Sequence, residues 1–143
     1  MLVCEMAAHY KQAGKTLCDA INDIYRCYGY CKSTLHTYAL EGAQGEAHMN
    51  RAMEALREAR STFGPLSVEE VLDFSKGIHG LPASNVLQFR LAGGSSLTVR
   101  PSGTEPKLKL YLSVRAASRH MAAQISEDLI RYFESIIRQD VKE

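Results

Sequence analysis

No apolar run in this sequence approaches the roughly 20 residues that a helix needs to cross a bilayer, and no membrane partner is expected. The opening residues show no basic stretch followed by an apolar core and a small-residue cleavage site, so a secretory signal is not expected either. Neither sign of charge is in excess. The formal net charge is +1, which argues against a general nucleic-acid binder while leaving room for a local basic patch. Cysteine is sparse: Cys4, Cys18, Cys27 and Cys31 all lie in the first quarter of the chain. None forms a Cys-x-x-Cys pair, and no histidine follows at zinc-ligand spacing. They read as reduced, partly buried thiols, and a cytoplasmic location follows from that usage. Internal repeats and low-complexity segments are absent.

What is present fits 143 residues, the length of one domain or of one domain plus a piece of another. A chain of this size can bury about two-thirds of its unfolded surface, so a core needs no staples. Leu2, Val3, Met6, Ala7 and Tyr10 form an apolar stripe at helical spacing that stops at Gly14. No capping residue precedes it, so the sequence starts inside a helix and reads as cut from a longer chain. Thr16 can cap a second helix, with Asp19 three positions on as a variant capping box. Leu17, Ile21, Ile24 and Tyr28 share its face, and Gly29 ends it. Two short helices in tandem cannot bury their apolar faces alone. Residues 1–29 are therefore expected to be the tail of a preceding domain, and residues 30–143 a domain of their own.

Residues 30–40 have strand composition, broken by Gly42 and Gly45. Residues 44–60 form an amphipathic helix with Met49, Ala52, Met53, Leu56 and Ala59 inward. Gly64 and Pro65 punctuate it, and residues 68–74 suit another strand before a loop with Gly77, Gly80 and Pro82. Leu87, Phe89 and Leu91 alternate up to Gly93 and Gly94, the glycines of a tight hairpin. Leu97 and Val99 alternate on the return strand. Leu108, Leu110, Leu112 and Val114 mark a half-buried strand. Ser118 caps a last helix, in which Met121, Ile125, Leu129, Tyr132 and Ile136 are expected to cover the sheet. The predicted class is α+β: a small, mostly antiparallel sheet of four to five strands with two helices on one face, preceded by two short helices.

Between two of these strands lies Arg100-Pro101-Ser102-Gly103-Thr104-Glu105-Pro106-Lys107. Arg100 offers a planar fork of donors that fits phosphate oxygens. Ser102 and Thr104 each bring a hydroxyl, and Gly103 leaves the surrounding amides free to turn toward one anion. Lys107 adds a mobile positive charge, while Pro101 and Pro106 stiffen the segment and lower the entropy lost on binding. Glu105 repels phosphate and is expected to orient Arg100 or Lys107. An ordinary polar turn with a surface ion pair has similar composition.

This string, followed by the alternating Leu108 to Val114, resembles the C-terminal phosphate-binding loop of the α-D-phosphohexomutase superfamily, which includes phosphoglucomutases and phosphomannomutases. "LPASNVLQFRL" ahead of the glycine hairpin resembles the matching region of that branch, and "LVCEMAAHYKQAGKTL" resembles the last helices of its third domain. The resemblance implies a TATA-binding-protein-like fourth domain. Its loop would hold the phosphate that is not being transferred, through Arg100, Ser102, Gly103 and Thr104, with Lys107 at the loop's edge. It also implies a parent enzyme that interconverts hexose 1-phosphate and 6-phosphate with Mg2+, the remaining mutase domains being this chain's partners and a hexose phosphate its substrate. The chain has no Thr-x-Ser-His-Asn-Pro, Asp-x-Asp-x-Asp-Arg or Gly-Glu-Glu-Ser string. The nucleophile, the metal site and the sugar loop of such an enzyme are thus missing, and no catalytic or metal residue is expected here.

Weaker signals point elsewhere. Gly14-Lys15-Thr16 looks like the end of a phosphate-binding P-loop, but the glycine required five positions earlier is His9. His9, His36, His48, His79 and His120 are scattered, and Glu69, Glu70 and Asp73 read as a solvated strand edge. Lys107, Lys109 and Arg115 alternate around Tyr111, the pattern of a sheet face that binds single-stranded nucleic acid. Low net charge and a single aromatic on that face make this the alternative to the phosphate loop.

Overall fold

The structure, a computed structural model, describes residues 1–40, 44–58, 60–78 and 80–139. Helices α1 (Leu2–Gln12) and α2 (Leu17–Tyr28) lead into strand β1 (Tyr30–Ala39) and helix α3 (Gly45–Arg57). Strands β2 (Thr62–Phe63), β3 (Leu66–Asp73), β4 (Leu87–Leu91), β5 (Ser95–Pro101) and β6 (Lys107–Ala116) follow, and helix α4 (Arg119–Gln139) closes the chain. The strands form one antiparallel sheet in the order β1-β6-β5-β4-β3-β2.

The class is the expected α+β, with one strand more than the four to five expected. The addition is β2, only two residues long. Phe63 in it is fully buried and stands edge-on to Tyr132, 5.1 Å between ring centres. The pairing of Phe63 with Leu66 across Gly64-Pro65 makes a two-residue turn in which Gly64 takes φ 56°.

One face of the sheet carries the core. Leu108, Leu110, Leu112 and Val114 of β6, Leu97 and Val99 of β5, and Leu87, Phe89 and Leu91 of β4 are all buried. Met53 and Leu56 of α3 and Leu129 and Phe133 of α4 cover them. Side chains alternate on a strand, so the residues between these apolar positions stand on the other face, which no helix among the described residues covers. The hairpin glycines behave as expected: Gly93 and Gly94 have φ near 74° and 73°, values that L side chains rarely adopt.

Helix α4 covers the sheet with Ile125, Leu129, Tyr132 and Ile136 as expected, but Met121 does not join them and the fully buried line is shifted. Ser118 caps it, its hydroxyl accepting from the Met121 amide at 3.2 Å. Yet Met121 is 49% exposed. The buried stripe is Ala122, Ser126, Leu129, Phe133 and Ile137, one position along from the expected stripe and sharing Leu129 with it. In α2 the capping box forms as read: Thr16 Oγ1 accepts from the Asp19 amide, and the Asp19 carboxylate accepts from the Thr16 amide. The expected break at Gly42 and the inward-facing Ala59 lie outside the described residues.

Candidate functional site

The eight-residue segment is shorter as a loop than as a motif. Strand β5 runs through Pro101 and β6 resumes at Lys107, which leaves residues 102–106 to bridge them. Three backbone hydrogen bonds fix this bridge. The Ser102 amide donates to the Lys107 carbonyl at 2.8 Å, the Lys107 amide to the Glu105 carbonyl at 2.7 Å, and the Leu40 amide to the Pro106 carbonyl at 2.8 Å. The last ties the loop to the end of β1. The first residue of α3 presses against it too: a Cβ on Gly45 would collide with the Leu40 carbonyl oxygen and lie 3.0 Å from the Pro106 Cβ.

The structure divides the candidate residues into two groups. Ser102, Gly103 and Thr104 line a polar cavity of about 340 Å³, together with Glu105, Pro106 and the first turn of α3. Arg100 and Lys107 do not line it. Arg100 belongs to β5, on the face away from the helices, and its register partner on β6 is Lys109. Lys107 Nζ lies 3.0 Å from the Glu105 carboxylate, the ion pair expected for that glutamate. Among the described residues no carboxylate lies within ion-pair reach of Arg100 or Lys109. Two like charges directly opposite on neighbouring strands destabilise a sheet, and an anion bound between them removes that cost.

Gly103 is not imposed by the fold. Its φ is not among the positive ones, and a Cβ there would meet no protein atom within 4 Å. The missing side chain leaves open space at the loop's tip, where a ligand would approach. Lys109 is the residue that sequence reasoning placed elsewhere, on a basic strand. Its pairing with Arg100 follows only from the register across the loop.

The other candidates resolve into structural roles. Lys15 pairs with Asp23 at 2.7 Å and Thr16 caps α2, so the P-loop look-alike is a helix start. Glu70 pairs with Arg90 at 2.8 Å and Asp73 with Arg57 at 3.0 Å. Burial pushes the Asp73 carboxyl up, but hydrogen bonds from Ser75 and Arg57 outweigh it and leave it below the usual carboxylate range. His79 lies outside the described residues, and among those described no three His, Cys, Asp or Glu side chains gather into a metal site. A second cavity, about 470 Å³ between α2, β1 and α4, is lined by Tyr25, Tyr30 and Arg119 and shares no lining residue with the loop's cavity. Its lining is the more apolar of the two.

Comparison with known proteins gives the chain's relatives. The family model described as phosphoglucomutase/phosphomannomutase, C-terminal domain, matches residues 41–131. Phosphoglucomutase of Staphylococcus aureus is 33% identical, over 86% of this chain and 24% of its own length. That of Staphylococcus haemolyticus is 31% identical, over 92% of this chain and 25% of its own. The chain thus spans about a quarter of the length of the curated relatives it matches. Among solved structures, the open form of the exocytosis-sensitive phosphoprotein pp63/parafusin of Paramecium, a phosphoglucomutase, aligns with a TM-score of 0.59 at 14% identity, over 94% of this chain and 26% of its own. At that identity the likeness is one of fold.

Proposed function

The chain belongs to the phosphoglucomutase/phosphomannomutase family as its C-terminal domain, and from that premise we propose that it supplies the grip on the non-transferred phosphate in a mutase interconverting hexose 1-phosphate and 6-phosphate. The observation that carries this reading is the pair Arg100 and Lys109, opposite each other and without an acidic partner among the described residues, at the mouth of a loop tied down by three backbone hydrogen bonds. Arg100 takes two phosphate oxygens, Ser102 and Thr104 donate hydroxyl hydrogens, and the open tip at Gly103 lets backbone amides approach. Lys107, half-committed to Glu105, contributes long-range attraction at the edge.

The chemistry of transfer belongs to other parts of such an enzyme. The chain lacks the serine string and the acidic metal string that its resemblance calls for, so it binds phosphate and transfers none by itself. In the complete enzyme Mg2+ would assist the transfer from a site outside this chain. Residues 1–29 are assigned to the preceding domain, because the apolar residues of α1 and α2 stay exposed here: Leu2 is 74% and Ile24 54% accessible. Substrates of this kind and four free thiols suit the cytoplasm.

The test is a titration of the isotope-labelled chain with glucose 1-phosphate, following the amide signals of Ser102, Gly103 and Thr104. They are expected to move in a saturable way, and Arg100→Ala to weaken the binding roughly tenfold or more, as loss of a charge-assisted bidentate contact should. Motionless loop amides at saturating ligand would overturn the reading.

A further inference from the structure

We propose that the free edge of β1 is a docking site for an extended peptide segment, which adds to the sheet as one more strand and brings an acidic side chain to Lys32 and Arg119. The site is separate from the phosphate loop and does not depend on how that loop is read.

The two edges of the sheet differ. One ends in β2, two residues long. The other is β1, ten residues long, which pairs with β6 and, among the described residues, with no other strand. An edge strand leaves a row of amides and carbonyls unpaired, and proteins blunt such edges with short strands, prolines, bulges or charges. β2 is blunt by its length. β1 contains no proline and keeps an unbroken register with β6 from Tyr30 to Ala39. Lys32 is its one lysine, arginine or acid.

The cavity between α2, β1 and α4 shows where a partner enters. Tyr30, Cys31, Lys32 and Ser33, consecutive along β1, all line it. Successive side chains of a strand point to opposite faces. These do so: Lys32 is in register with the buried Val114, and Cys31 with the exposed Arg115. A cavity that reaches every residue of such a run therefore lies along the strand's edge, where the backbone is open. Tyr25 of α2 and Arg119, Ala122 and Ala123 of α4 complete the lining. An open strand edge with a pocket beside it is the arrangement used for strand addition. Backbone hydrogen bonds give the affinity, and the pocket reads alternate side chains.

The lining sets the partner's chemistry. Tyr25 and Tyr30, stacked with 5.0 Å between ring centres, and the two alanines suit one apolar side chain. The lining also holds two cations, Lys32 and Arg119, and no acid. Neither cation is in an ion pair among the described residues. In an added strand, an acid two positions from the apolar residue shares its face. The partner is thus an extended segment that carries an apolar residue and a glutamate or aspartate at that spacing. A second copy of β1 is the poorer occupant, because it brings Lys32 and no acid.

The experiment titrates the isotope-labelled full chain with a short, end-blocked peptide that alternates threonine with valine and glutamate. The amides of Tyr30 to Ser33 and of Ala122 and Ala123 are expected to shift in a saturable way, with Ser102 to Thr104 unmoved. N-methylation of alternate peptide amides, which leaves the protein untouched, should weaken binding roughly tenfold. Arg119→Glu, an exposed change at the start of α4, should weaken it at least about threefold. A peptide with lysine in place of glutamate should bind that variant better than the parent chain. Motionless β1 amides at high millimolar peptide would overturn the proposal. So would equal binding of the N-methylated peptide, since then no strand is added. If sedimentation shows the chain pairing with itself through β1 and the peptide fails to dissociate it, the edge belongs to a second copy and the proposal is overturned.

Discussion

Two glycines separate what the fold requires from what the loop requires. Gly45 opens α3 at a point where a Cβ would strike the Leu40 carbonyl oxygen, and that residue's amide holds the loop through Pro106. Gly103 has open space around it. Gly45→Ala is expected to destabilise the chain by about 1–3 kcal/mol, the range for overpacking, and Gly103→Ala to change stability by less than ~0.5 kcal/mol while weakening phosphate binding. Denaturant unfolding and phosphate titration on the two variants read both quantities. Tyr38 gives a second test at this scale. Burial against Phe133, and then the Glu134 carboxylate, push its phenol from 10.0 up to about 12. The folded state thus prefers the neutral form. Its stabilising contribution is complete below pH 10.0 and is lost as the pH rises toward about 12. Stability measured across that window should fall, and fall less steeply in Tyr38→Phe.

At the scale of the element, α4 shows how a sequence pattern finds the covering face but not its deepest line. A helix with apolar residues at 121, 125, 129, 132, 133, 136 and 137 contains two stripes about 100° apart. The stripe with the larger apolar side chains, starting at Met121, is the one the pattern favours. The fully buried stripe is the one holding Ala122 and Ser126, whose hydroxyl is buried without a hydrogen-bond partner among the described residues, while Ile125, Tyr132 and Ile136 of the other stripe pack at its border. Small residues allow α4 to approach the sheet closely, and the pattern gives them no weight. Phe133→Ala is therefore expected to cost about 3–5 kcal/mol, and Met121→Ala less than ~1 kcal/mol, as seen in the midpoints of chemical unfolding. The reverse order would restore the stripe read from the sequence. Strands β4, β5 and β6 were legible because strict two-residue alternation admits one reading, whereas β2 escaped notice because two residues show no period.

For the whole molecule, the sequence showed the loop's composition but not its layout. Pro101, Gly103 and Pro106 announce a rigid turn, and Arg100 and the hydroxyls announce an anion. That Arg100 is paired across the strands with Lys109, while Ser102 and Thr104 line the loop's cavity, depends on where the strands end. That is a matter of register and not of composition. The same holds for the two parts of the chain. The apolar stripes of α1 and α2 were visible from spacing alone, but only packing shows that α1 buries no residue and α2 buries Ala20 alone. One contact that joins them to the sheet is the stack of Tyr25 on Tyr30, 5.0 Å between ring centres, just past the left-handed Gly29. Helices this short gain most of their stability from packing, and these have little of it. Their amide hydrogens should therefore exchange through local opening, at least an order of magnitude faster than those of Leu97, Leu110 and Leu112 at the centre of the sheet. Hydrogen exchange followed residue by residue on the whole chain measures this directly. Equal protection in α1, α2 and the sheet would mean one cooperative unit, and would remove the ground for assigning residues 1–29 to a neighbouring domain.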